Sequence, residues 1–84
     1  MAEELPSIQK LQWQCRRGML ELDYIFREFL DKHYEQLSED DKYKFVELLN
    51  HSDQDLQQWL VNKSSPANHN LLHIVEKISG MNAR

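Results

Sequence analysis

Apolar residues recur along this chain at helical spacing, and most of the recurrences are preceded by a serine. Ile8, Leu11 and Cys15 stand at i, i+3 and i+7 behind Pro6 and Ser7, which predicts a short first helix, capped by Ser7 and ending near Gly18. Leu22, Ile25, Phe26, Phe29 and Leu30 form a stronger stripe, flanked by the i, i+4 pairs Asp23/Arg27 and Glu28/Lys32. This second helix is expected to be the longest and most central. Ser38 ahead of Glu39, Asp40 and Asp41 is a good helix start, because a hydroxyl caps open amides while acids favour the positive end of the dipole; Tyr43 to Leu49 then form helix three. Asn50-His51-Ser52 breaks it, and Ser52 with Asp55 repeats the capping pattern ahead of Leu56, Trp59 and Leu60 in helix four. After a polar connector over 62–65, Ser65-Pro66 reads as N-cap and first helical position of helix five, which carries Leu71, Ile74, Val75 and Ile78 and is closed by Gly80. No strand-like alternation interrupts the pattern. The expectation is an all-α, compact five-helix bundle forming a single domain over 1–84, with flexible ends at 1–6 and 81–84, and Phe26, Phe29, Tyr43, Phe45 and Trp59 in its core.

Eighty-four residues, 40% hydrophobic and 29% charged, suit one soluble domain with one modest core. No apolar run approaches the roughly 20 residues needed to cross a bilayer. The first six residues carry two acids and no cation, unlike a secretory or mitochondrial leader, so the cytoplasm of a bacterium is the expected location. The single cysteine, Cys15, fits a reducing compartment. A net charge of −4 offers little to a phosphate backbone and argues against nucleic acid as partner. The charge is nonetheless divided: Lys10, Arg16 and Arg17 come early, whereas Glu35, Glu39, Asp40, Asp41, Glu47, Asp53 and Asp55 follow.

Arg16-Arg17-Gly18-Met19-Leu20-Glu21-Leu22-Asp23 interrupts the amphipathic pattern and is the candidate site. A glycine in a helix costs about 0.5–1 kcal/mol against alanine, so Gly18 should answer a positive φ or a close backbone approach. Arg17 and Glu21 admit two readings, an exposed i, i+4 pair within helix two or contacts to a partner. Trp13 lies off the Ile8, Leu11, Cys15 stripe beside the two arginines; it is either an interface anchor or buried by its short helix. His69 and His73 share a face of helix five but lack a third metal ligand. Cys15 has no base placed to activate it and suits the core.

Arg17-Gly18-Met19-Leu20-Glu21 also carries the RGxxE signature, and the chain resembles the small succinate dehydrogenase assembly factors that promote covalent attachment of FAD to the flavoprotein subunit. The resemblance covers residues 7–80 and includes Glu21-Leu22-Asp23, the apolar run from Phe45 to Leu49, and Asp55-Leu56 followed by Trp59. It implies that Arg17, Gly18 and Glu21 contact the flavoprotein near its FAD site, with Asp23 at the edge. The candidate partner-binding residues are thus Trp13, Arg16, Arg17, Gly18, Glu21 and Asp23. The implied protein is no enzyme: the flavoprotein of succinate dehydrogenase, and of fumarate reductase, completes its histidyl-FAD bond with its own groups. No phosphate-cradling glycine loop is present, so tight binding of FAD by this chain is not expected. The rival reading is a regulatory interaction module, such as the antitoxin half of a toxin–antitoxin pair, binding through the acidic face.

Overall fold

The computed structural model describes residues 5–82. Five helices follow one another: α1 (Ile8–Gln14), α2 (Leu20–Lys32), α3 (Glu39–Leu49), α4 (Asp53–Leu56) and α5 (His69–Asn82). A 3₁₀ turn (Tyr34–Gln36) lies between α2 and α3, and α4 continues as a π-helical turn (Gln57–Val61). The described residues contain no strand and make one globule of 34 × 25 × 24 Å. Of the ends expected to be flexible, residues 1–4, 83 and 84 lie outside the described residues; Leu5 and Pro6 are half-buried, and 81–82 continue α5.

Three of the four serine caps form as the spacing predicts. Ser7, Ser38 and Ser52 accept from the amides of Lys10, Asp41 and Asp55 at 3.1–3.2 Å. The fourth does not form. Asn68 starts α5 instead, its Oδ1 accepting from Asn70 N at 2.8 Å and Leu71 N at 3.2 Å, while Pro66 is buried in the connector. An asparagine at N-cap satisfies two open amides at once, and the helix therefore begins three residues later than Ser65-Pro66 suggests. Gly80 does not close α5, which runs through it to Asn82; neither glycine has a positive φ. The left-handed residue is Lys63, with φ 66°, which turns the chain off the π-helical turn. At 14 residues α5 is one longer than α2, so α2 is not the longest helix.

The core forms where the stripes meet. Leu11, Cys15, Leu22, Phe26, Phe29, Phe45, Leu48, Leu56, Ile74 and Ile78 are fully buried. Each such leucine or phenylalanine contributes about 1.5–3 kcal/mol by leaving water. Phe45 is the hub of the aromatic cluster, 6.1 Å from Phe26, 5.2 Å from Phe29 and 5.6 Å from Tyr34, in the tilted and edge-on arrangements aromatic rings prefer. Tyr34, which the apolar pattern did not single out, is in this cluster, whereas Tyr43 and Trp59 are only half-buried. α2 packs against α1, α5 and the π-helical turn, and α3 packs against α5. This brings the α1–α2 connection beside the junction of α3 and α4.

Candidate functional site

The segment from Gln14 to Met19 is where the helical pattern fails, and its geometry follows from one side chain. α1 ends at Gln14 with Cys15 as its C-cap, several residues short of Gly18, and α2 starts only at Leu20. Arg17 therefore belongs to neither helix. Its guanidinium turns inward, to an exposure of 12%. Nη1 donates to the Asp53 carboxylate at 3.2 Å and to the carbonyl of His51 at 3.3 Å, and Nη2 donates to the carbonyl of Leu49. The group also lies over the Phe26 ring, 5.6 Å from its centre.

The physical logic is that of a helix end. The last carbonyls of α3 have no partner within the helix, and the negative end of its dipole favours a cation. Arginine meets both needs with a planar fork, and Asp53, in the first turn of α4, supplies a counter-charge. The i, i+4 pair between Arg17 and Glu21 does not form, because Arg17 precedes α2 and its donors go to α3 and α4.

The remaining candidates face outward. Gly18 and Glu21 are both exposed, Glu21 in the first turn of α2, where it makes no hydrogen bond or ion pair with another described residue. A Cβ built on Gly18 would meet only Asp53 Oδ2, at 3.8 Å, an ordinary contact. Since the φ is not positive either, nothing among the described residues demands glycine here. Trp13 is 70% exposed and stacks with the Arg16 guanidinium, 5.1 Å from ring centre to charge. Asp23 is half-buried; its Oδ2 accepts from Arg27 at 3.4 Å, as the i, i+4 spacing predicts, and its Oδ1 is buried without a partner among the described residues.

The large hydrophobic side chains exposed on the described surface are Ile8, Trp13, Leu20 and Tyr24, all on α1 and α2 around this segment. Leu20 and Tyr24 went unnoticed in the sequence, although both lie off the Leu22–Phe26–Phe29 stripe and that offset marks an exposed apolar residue. Isolated apolar residues on a surface are ordinary; four on two consecutive helices make this face a candidate for contact with another protein.

Cys15 is fully buried, and that burial pushes its thiol up from 9.0 to about 12, with Arg17 pulling partly the other way. A thiol held protonated is no nucleophile. His73, one of the two histidines on α5, places Nε2 3.2 Å from Asp41 Oδ1. The described residues hold no group of three or more His, Cys, Asp or Glu side chains able to ligate a metal, and no helix among them is long and apolar enough to cross a membrane.

The model of a family described as flavinator of succinate dehydrogenase matches residues 9–82. The FAD assembly factor SdhE of a Serratia species is 42% identical over 79 residues, 94% of this chain and 90% of that protein. The protein of the same name from Shewanella oneidensis is 39% identical over 77 residues, 92% of this chain and 94% of its own length. The one from Yersinia pseudotuberculosis is 37% identical over 79 residues, with 94% and 90% covered.

Proposed function

Because the chain belongs to the flavinator of succinate dehydrogenase family, we propose that it is an assembly factor that binds the flavoprotein subunit of succinate dehydrogenase and promotes covalent attachment of FAD to it. The observation that carries this reading is the pairing of an inward Arg17 with an outward Gly18 and Glu21. Arg17 holds the segment down from beneath, and the exposed residues around it, Trp13, Arg16, Gly18, Leu20 and Glu21, are left to meet a partner. The relatives' name, FAD assembly factor, supports the same reading.

The chain acts by contact and supplies no catalytic group, and it keeps no FAD of its own. Gly18 offers bare backbone to a close approach, Glu21 accepts from donors on the partner, and Trp13 and Leu20 provide apolar area that loses water on docking. Asp23 sits at the edge of this surface. The flavoprotein of fumarate reductase is a second client of the same site, and both are met in the cytoplasm. Two carboxylates of the acidic face are engaged inside the fold, Asp53 by Arg17 and Asp41 by residues of α5, which favours the surface around Gly18 over that face as the docking site.

The experiment compares in-gel flavin fluorescence of the flavoprotein subunit from cells with and without this chain. The covalent flavin band should be lost without it and restored by a plasmid copy. A band of equal intensity in both strains would rule the reading out.

A further inference from the structure

Asp53 pairs with Arg17 and stands beside Gly18. Its Oδ1 accepts from Arg17 Nη1 at 3.2 Å, and its Oδ2 stands 3.8 Å from where a Cβ on Gly18 would be. Its own place is fixed by a capped helix end, because Ser52 caps α4 immediately before it. The loop it faces is anchored at its ends, by buried Cys15 and by Met19 packed on the core, and has few backbone bonds between them. Arg16 N donates to Trp13 O at 3.1 Å, but the amides of Arg17 and Gly18 donate to no described backbone carbonyl. Between Cys15 and Met19, the course of the loop at Arg17 and Gly18 is therefore set by the Arg17 side chain and by what that side chain grips.

We propose that Asp53 is a positioning residue for the client contact: through Arg17, and from its place beside Gly18, it sets where the Gly18–Glu21 surface stands, without itself touching the flavoprotein. The client is the one argued above, so the proposal rests on that reading. Of the groups Arg17 grips, two are backbone carbonyls, of Leu49 at the end of α3 and of His51 in the α3–α4 connection, present whatever the side chains there, whereas the Asp53 carboxylate is a side chain whose loss leaves that backbone intact. It is also the one charged acceptor of the three, so its bond alone is an ion pair.

The test uses the whole chain as wild type, Asp53→Ala, Asp53→Asn, Asp53→Glu, Arg17→Ala and the double variant Asp53→Ala/Arg17→Ala. Each is examined free by amide NMR and then titrated with purified flavoprotein subunit. The chain has two glycines, so the Gly18 amide signal is easily separated from that of Gly80. In Asp53→Ala the Gly18 signal should collapse to the sharp position of an unstructured glycine while Gly80 and the core methyls stay put. Affinity for the subunit should fall about tenfold or more, the worth of one charge-assisted contact. Asp53→Glu should recover part of both. The double variant should bind no worse than the poorer single one, because the two residues act as one unit.

An unmoved Gly18 signal, wild-type affinity in Asp53→Ala, or losses that multiply in the double variant would overturn the proposal. Should Asp53→Ala fail to fold, Asp53→Asn, which keeps the shape, is read in its place by the same criteria. Absence of any binding by the wild type would instead overturn the proposed function, and the NMR comparison, which needs no flavoprotein, would still decide whether Asp53 sets the loop.

Discussion

His73 on α5 holds Asp41 on α3, Nε2 to Oδ1 at 3.2 Å, and Lys77 one turn further along reaches the other oxygen at 3.4 Å. Lys44 adds a longer contact at 3.8 Å, and the aspartate is only 8% exposed. One carboxylate thus ties together the two helices that pack most closely, at a depth where water replaces it poorly. Asp41→Ala should lower stability by about 1–3 kcal/mol, because it leaves His73 and Lys77 without their acceptor. For a domain of this size that is a fall in melting temperature of about 4–8 °C per kcal/mol. A melting curve unchanged from wild type would mean the network is idle.

Glu21→Ala should behave in the opposite way. The side chain is exposed and makes no described contact, so the unfolding midpoint should stay within about 0.5 kcal/mol of wild type. Covalent flavin fluorescence of the client should nevertheless drop sharply. A normal band with this variant would remove Glu21 from the surface.

Arg17→Lys separates a forked internal anchor from a mere positive charge. An ammonium cannot serve Asp53 and the carbonyls of Leu49 and His51 with the geometry of a guanidinium. Urea unfolding should show a loss of about 1–3 kcal/mol, well above the few tenths expected for an exposed pair. Equal midpoints would show that charge alone matters.

Gly18→Ala should fold as well as wild type or slightly better. The added Cβ meets only Asp53 Oδ2 at 3.8 Å, and removing glycine stiffens the unfolded chain by about 0.4–1 kcal/mol at a compatible site. Binding to the flavoprotein subunit should weaken all the same, and more for Gly18→Val, because the restriction comes from outside the chain. If the loss of binding tracked the folded fraction across a temperature series, Gly18 would be a structural residue only.

Alkaline stability should report on Cys15. Folding keeps its thiol protonated up to about 12, whereas the unfolded chain loses that proton near 9.0. The contribution is complete below pH 9 and is lost as pH rises toward 12, by up to about 1.4 kcal/mol per pH unit for one group. Burial raises Tyr34 above its ordinary 10.0 as well and steepens the decline. Urea unfolding at pH 7, 9 and 10.5 should show a flatter fall for Cys15→Ala, and equal slopes would exclude the thiol. Iodoacetamide should leave Cys15 unmodified in the folded chain at pH 8.

What the sequence made legible was local. The caps at Ser7, Ser38 and Ser52 each join residues three apart, and the core stripe of α2 repeats within one helix, so spacing alone reveals them. Where two local solutions compete, spacing chooses poorly: Ser65-Pro66 and Asn68 both make acceptable starts to α5, and Gly80 reads as a stop although the helix carries it at modest cost. The anchoring of Arg17 could not be read at all. Its acceptors lie 32, 34 and 36 positions further along, two of them backbone carbonyls that every residue possesses and no sequence pattern marks. The exposed part of the candidate site was picked out by its residue types, Gly18 and Glu21, and by the RGxxE resemblance, and the structure leaves both residues exposed. The inward part needed the tertiary structure.

Because Arg17 closes a loop of more than thirty residues, the surface around Gly18 cannot exist before the chain has been made through Asp53 and has collapsed. A nascent, truncated or locally melted molecule keeps every letter of the signature and presents none of its geometry. Display of the candidate surface is therefore tied to the integrity of the bundle, and the signature by itself, as a linear peptide, would not reproduce it.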